Sequence, residues 1–410
     1  MNAKILSTYA DLIIRTGVNL QKGEMLVINA PIDSRELVEK VVKSAYMAGA
    51  RNVEVQWLDD KISRLNYKYR SKKELTKIPD WVIKQKDHYI DEKIAYLRIL
   101  SDNPESLKGV NPEKVAAARR ASGKALAKFR DYTGSNKLRW CIAAYPQKDW
   151  AKKMFPELSP SAAMKKQWEY IAETMRLNCN DPIKAWEVHQ NEISRRCEIL
   201  NGAKIKTFTY KNSLGTDFTV GMPQGYIFCG GAEKGALDGI WFTANMPTEE
   251  VFSCPDRRTA NGKLVSAMPL CRNGQIIKNF WFKFENGKIT DYGAEEGYEN
   301  LKSIIETDEG SHYLGEIALV GYNSPIRNLN TLFYETLFDE NASCHFAIGD
   351  CYPTCLQSGG ELTKDELLSR GLNSSIEHVD FMVGTCDLEI TATCEDGKQL
   401  KIFENGEWVI

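Results

Sequence analysis

The sequence predicts a two-domain protein combining α/β and α+β architecture: an N-terminal α/β domain over residues 1–200 with a mostly parallel sheet, and a C-terminal α+β domain over residues 201–410 rich in antiparallel strands. Three observations predict it. The chain has 410 residues, more than one ordinary hydrophobic core accommodates. Its first 150 residues alternate helix-period and strand-period segments, the pattern of parallel strands joined by right-handed crossovers. After Asn201-Gly202 the texture shifts to short strands divided by Asn-Gly and Asp-Gly turns, the signature of hairpins.

The elements follow in order. Residues 2–16 place Ile5, Tyr9, Leu12 and Ile13 at helical spacing, and Gly17 ends the run. EMLVINAP (24–31) reads as a buried strand, and Asp33 or Ser34 can cap the helix that follows through residue 50. NVEVQWLD (52–59) alternates as a strand, 59–70 is helical, and IAYLRILS (94–101) is a third strand. After Asn111-Pro112 one long helix is predicted over 113–133, then a fourth strand, KLRWCIAAYP (137–146). No glycine-rich phosphate loop follows any strand, which disfavours a nucleotide fold. Two helices occupy about 161–200. Beyond them AKIKTFTY, LGTDFTVGM and IWFTANMP read as strands, 264–293 as a meander turning at Asn273-Gly274 and Asn286-Gly287, YENLKSIIET as a helix, and 386–410 as hairpins turning at Asp396-Gly397 and Asn405-Gly406.

Composition narrows the function classes. The chain is 43% hydrophobic and 26% charged, with a net charge of −2 spread along its length. That disfavours nucleic-acid and anionic-membrane partners, which select basic patches. No apolar run approaches the ~20 residues of a membrane span, and charges interrupt the apolar positions of the N-terminal helix, unlike a signal peptide. Eleven cysteines, an odd number, are scattered from Cys141 to Cys394. They read as free thiols in a reducing cytoplasm rather than a disulfide framework. Cys351 and Cys355 are the only close pair, a weak zinc signal without a second pair.

The chemistry concentrates in four stretches of the second half. His378-Val-Asp380 lies in EHVDFMVG, which reads as a strand, so His378 and Asp380 project to one face while Val379 and Phe381 pack behind. An imidazole and a carboxylate on one strand suit a divalent metal; a buried histidine satisfied by its neighbour is the plainer reading. Glu340 and His345 fall in DENASCHFAIGDCYPTC (339–355), together with Asp339, Asp350 and Tyr352. Glu316 interrupts the apolar run GEIALV, where an unpaired carboxylate is costly to bury. Glu249 and Glu250 precede Val251-Phe252. Singly, each acid reads as an ordinary surface or strand-end residue. Jointly they match a pair of divalent ions about 3.5–4 Å apart with one bridging carboxylate. His88, His189 and His312 read as surface or packing residues.

These stretches, NMPTEEVFSCPD (245–256), GEIALV (315–320), LFDENASCHFAIGDCYP (337–353) and NSSIEHVDFMVG (373–384), resemble the M29 metallo-aminopeptidases. The resemblance implies a cytoplasmic homodimeric exopeptidase that takes peptides with a free N-terminus and holds two divalent ions, zinc, cobalt, manganese or magnesium. By motif it implies Glu250, Glu316, His345, His378 and Asp380 as metal ligands, with Glu316 touching both ions. It implies Glu340 as a ligand or proton acceptor, and Tyr352 facing the metals as an oxyanion donor. Glu249 does not carry over, and Cys344 stands where a small residue is expected. Three rivals remain at this level: a metal-dependent phosphoesterase using the same ligands, a cysteine hydrolase using Cys344, Cys351 or Cys355, and a non-catalytic binding module.

Overall fold

A computed structural model describes residues 3–272 and 275–410. The chain packs as two compact units, Met1–Glu187 with Ala232–Pro247, and Val188–Gly231 with Thr248–Ile410. The division falls inside the helix Pro182–Gly202.

The first unit is built on a four-stranded parallel sheet, β1 (Met25–Pro31), β2 (Asn52–Leu58), β3 (Ala95–Leu100) and β4 (Trp140–Ala144), in the order β2-β1-β3-β4. Leu26, Val27, Ile28 and Ala30 are fully buried, as a central strand covered on both faces requires. Helix ends follow local hydrogen bonding. Asp59 accepts from the N–H groups of Lys61 and Ile62 and caps the helix Asp60–Tyr69, and Asn111 does the same for Pro112–Ala125. The capping expected from Asp33 or Ser34 is not made. The Ser34 hydroxyl donates back to Pro31 O at 2.6 Å, and Asp33 accepts from Gln147 Nε2 at 3.1 Å. The helix expected over 113–133 breaks at Leu126 into Pro112–Ala125 and Ala127–Gly134, three residues after Gly123 lowers the local helix propensity. IWFTANMP gives only the two-residue strand Trp241–Phe242, paired with Glu233–Lys234. The segment belongs to the first unit, where Ala244 O accepts from Ile142 N at 2.7 Å.

The second unit carries a nine-stranded antiparallel sheet that includes Ile205–Lys211, Asp217–Gly221, Gln275–Glu285, Lys288–Glu296, Glu389–Cys394 and Gln399–Glu404. Its hairpins turn where expected. Asn286 and Gly287 have φ of 49° and 90°, and Asn405 and Gly406 have 51° and 75°, the left-handed pair that a two-residue hairpin turn demands. The turn expected at Asn273-Gly274 lies outside the described residues.

A second sheet of this unit has four antiparallel strands, β5 (Val251–Ser253), β6 (Leu314–Leu319), β7 (His345–Gly349) and β8 (His378–Met382), in the order β8-β7-β6-β5. One of its faces is core. Ile317, Leu319, Phe346, Ile348, Val379 and Phe381 join the cluster that holds Tyr210, Phe218 and Phe282 of the nine-stranded sheet. Phe381 meets Phe282 edge-on with centroids 4.9 Å apart, and Phe346 meets Tyr210 at 5.1 Å.

Candidate metal centre

The other face of the four-stranded sheet collects the chemistry. Strand register aligns Glu316 with Ala347 and Ala347 with Asp380, so these three form one row across β6, β7 and β8. His345 pairs with Ala318, and His378 with Gly349, each two residues along its strand from that row. Period-two alternation therefore puts Glu316, His345, His378 and Asp380 on one face, as expected for His378 and Asp380. The positions between them are Ala318, Ala347 and Gly349, which leave room where larger side chains would fill the face. Val251 pairs with Leu319 on the core side, which turns Glu250 toward the site. Gly349 has φ +109°, and a Cβ there would lie 2.1 Å from Glu377 O, so only glycine lets β7 end this way.

Two groups of ligand atoms result, Glu250–Glu316–His345 and Glu316–His378–Asp380, each with its atoms within 4.8 Å of one another. Glu316 belongs to both. Its Oε1 lies 3.9 Å from His345 Nε2, and its Oε2 lies 3.1 Å from His378 Nε2. Glu250 Oε2 is 3.2 Å from His345 Nε2, and Asp380 Oδ1 is 3.2 Å from His378 Nε2. Both imidazoles are oriented from behind. His345 Nδ1 sits 3.1 Å from Ser343 O, and His378 Nδ1 sits 2.8 Å from Asp350 O. A carbonyl only accepts, so Nδ1 carries the proton and each neutral ring offers the Nε2 lone pair to the centre.

The electrostatics ask for cations. Burial raises the Glu316 carboxyl above its ordinary range, helped by the charges of Glu250 and Asp380 and opposed by His378. Burial also raises Glu340 strongly, with Asp380, Glu250 and Glu316 adding to it. Burial alone would lower His345, but the carboxylates of Glu250, Glu316 and Asp380 outweigh it and push the ring up to about 9. Burial would raise Asp380, but the facing His378 and His345 hold it low. His345 Nε2 is buried without a hydrogen-bond partner, since Glu250 Oε2 is close but not aligned for one. Three carboxylates and two imidazoles packed this closely, with no cationic side chain among them, form an oxygen and nitrogen donor set that divalent ions take. The residues present therefore fit divalent metal.

The remaining candidates stand around this core. Glu340 begins a single 3-10 turn at 340–342 and is in neither ligand group, yet close enough for the charges of Asp380, Glu250 and Glu316 to act on it. The Tyr352 ring packs beside His378, with centroids 5.1 Å apart and the planes tilted by 57°, and remains 40% exposed. Sequence reasoning missed Asn341, which is fully buried. Its Oδ1 accepts from Glu249 N at 2.7 Å and its Nδ2 donates to Leu337 O at 3.0 Å, tying the Glu249-Glu250 backbone to the Glu340 turn. It also read His189 as a plain packing residue. His189 Nε2 lies 2.8 Å from Thr248 O and 3.5 Å from Glu249 Oε2, so the helix Pro182–Gly202 buttresses the stretch before β5 and occupies Glu249. Partners 59 residues apart leave no local signal.

The cysteine alternative fails on geometry. Cys344 Sγ donates to Val320 O at 3.3 Å, and burial pushes its thiol up to about 12. Cys351 and Cys355 are buried and raised by the same cause, and all eleven cysteines are free. A thiol so far from ionising is a poor nucleophile.

Known proteins resemble this chain over its whole length. The thermophilic metalloprotease (M29) family matches residues 2–408. Aminopeptidase AmpS of Bacillus subtilis is 42% identical over 403 residues, covering 98% of each chain. Aminopeptidase 2 of Geobacillus stearothermophilus is 38% identical over 405 residues, covering 99% of this chain and 98% of the relative. The solved structure of wild-type AmpT from Thermus thermophilus superposes with a TM-score of 0.92 at 32% identity, covering 99% of both chains. With its mixed α/β fold and a centre suited to divalent metal, this chain belongs to the M29 metalloprotease family.

Proposed function

We propose that the chain is a metal-dependent aminopeptidase, removing the N-terminal residue from peptides that carry a free α-amine. One observation carries the reading: Glu316 turns one oxygen toward His345 and the other toward His378, the posture of a carboxylate shared by two ions. Glu250, Glu316 and His345 would hold one ion, and Glu316, His378 and Asp380 the other; zinc, cobalt, manganese and magnesium all suit ligands of this kind. Divalent ions there supply Lewis acidity, which brings water toward ionisation near neutral pH and polarises the scissile carbonyl.

The chain's own groups do the rest. Ser343 O and Asp350 O fix both histidine rings with Nε2 inward. Glu340, outside both ligand groups, accepts the proton of the attacking water and returns it to the leaving amine. The Tyr352 hydroxyl donates to the developing oxyanion. The free α-amine of the substrate would bind one of the ions or a carboxylate of this face, which sets exopeptidase register. The catalytic domain is the second unit, residues 188–231 and 248–410, and the first unit, residues 1–187 and 232–247, is the α/β domain. The free thiols support a reducing, cytoplasmic location, and the family resemblance supports a homodimer.

Hydrolysis of leucyl- and arginyl-p-nitroanilide tests this. Activity is expected to disappear on chelation and to return when one of the four metals is restored. Activity indifferent to chelation sinks the metal mechanism. Rapid cleavage of an N-acetylated peptide sinks the exopeptidase register.

A further inference from the structure

The first unit carries a cleft of about 480 Å³ at the carboxyl ends of its parallel strands. All four strands feed it: Asp33 follows β1, Asp60 follows β2, Ser101 and Asn103 follow β3, and Gln147 follows β4. In the order β2-β1-β3-β4 the chain leaves β1 toward one side and then crosses to β3 on the other. That reversal is a topological switch point, where diverging loops open a crevice suited to a ligand. Every lining residue lies in the first unit, and none belongs to the metal centre.

The lining carries both signs of charge. Five carboxylates, Asp33, Asp60 and Asp149 among them, stand beside three cations, Lys61, Arg64 and Lys108. Internal bonds fix this display. Buried Gln147 donates to Asp33 Oδ2 at 3.1 Å and accepts from the N–H groups of Asp149 and Trp150 at 2.7 and 2.8 Å. Asn103 N donates to Asp60 Oδ2 at 2.8 Å, and Arg64 Nη1 donates to Ser106 O at 2.7 Å. Burial raises the Asp60 carboxyl above its ordinary range, a penalty that a cationic ligand group beside it would relieve. Pro31, Leu58 and Ile32, the last 48% exposed, add an apolar strip.

Simple ions do not fit this lining. Among the described residues the only ligand groups close enough for a metal ion are those of the metal centre. A phosphate would meet five carboxylates, with no glycine-rich loop after β1 to cradle it. A ligand with both charges and an apolar side chain meets every feature. We propose that the cleft binds a free α-amino acid with an apolar side chain. Asp33 and Asp60 receive its ammonium, Lys61 and Arg64 its carboxylate, and the Pro31–Ile32–Leu58 strip its side chain. Such amino acids are products of the activity proposed above. That they are products rests on that reading, while the binding itself does not.

Equilibrium dialysis of the full metal-loaded chain against labelled L-leucine tests the site, using wild type, Lys61→Gln and Asp33→Asn. Both side chains are exposed, and thermal unfolding checks that each variant folds. Each variant is expected to weaken leucine binding about tenfold or more, the loss of one charge-assisted contact. N-acetyl-leucine and leucinol, each lacking one charge, are expected to displace the label poorly. Competitive inhibition by leucine at the metal centre is expected to be the same in all three proteins, which separates the two sites. Equal leucine binding by wild type and variants overturns the proposal, as does displacement by leucinol as strong as that by leucine. A protein that cleaves no peptide but binds leucine in a Lys61- and Asp33-dependent way overturns the proposed activity and keeps this site.

Discussion

Carboxylates in the four-stranded sheet and carboxylates in the loops are held by opposite means. Glu250, Glu316 and Asp380 are 5%, 4% and 8% exposed, and their near neighbours are two imidazoles and one another. Asp59 and Asp387 sit at partly exposed chain turns and accept from nearby donors. Asp59 takes the N–H groups of Lys61 and Ile62, and Asp387 takes Ser213 N at 2.8 Å and Thr385 Oγ1 at 2.6 Å. Hydrogen bonds from Ser213 and Thr385 bring Asp387 down to about 2, whereas burial drives Glu316 and Glu340 upward. Loop acids therefore stabilise the chain as anions. Buried Glu316 and Glu340 strain it until a cation arrives, and metal binding then returns stability by mass action.

The contrast is broken hardest at Glu316. Glu316→Gln removes the shared carboxylate and is expected to lower kcat/KM for leucyl-p-nitroanilide on the order of 10³-fold or more, with bound metal falling in the same preparation. Retention of both metal and turnover would return Glu316 to the ordinary buried acids. Glu340→Gln sharpens the line between ligand and proton acceptor. It should cost about 10² to 10⁴ in kcat with metal content unchanged, and lost metal would instead move Glu340 into the ligand set.

The loop acids predict smaller effects. Asp59→Ala should cost about 1 kcal/mol in urea unfolding, most of it recovered by Asp59→Asn, because only the helix cap is lost. Asp387 tests the opposite sign of pKa shift. Its folded value lies below the ordinary 3.8, so its stabilisation is present above that pH and is lost as pH falls through about 2. Asp387→Asn should cost a few tenths of a kcal/mol at pH 7, given its exposure. That gap should narrow as urea denaturation is repeated from pH 5 downward, and a gap widening with acid would refute the assignment.

Legibility in the sequence followed the range of the interaction. His378 and Asp380 could be placed on one face because strand alternation is local. Glu316 stood out because a charge inside Gly315–Val320 is costly anywhere in a core. The Asn286-Gly287 and Asn405-Gly406 turns were legible because φ > 0 restricts the residue type. The break at Leu126 was not, since Gly123 alone is tolerated in many helices. Asn341 and His189 were invisible for another reason. Their partners, Glu249 and Thr248, are distant in the chain, and no spacing rule links them.

The sequence alone determined which residues carry chemistry, which strand faces they occupy and where the chain turns, because rotamer, period and turn preferences act over a few residues. The tertiary structure alone decided that Glu316, Ala347 and Asp380 share a row, that Glu316 reaches both histidines and that Glu249 is taken by His189. Register between strands from distant parts of the chain is set by the packing of Phe346, Phe381 and Ile317 into the aromatic core. A slip of one residue would turn those side chains to the site face and the ligands into the core.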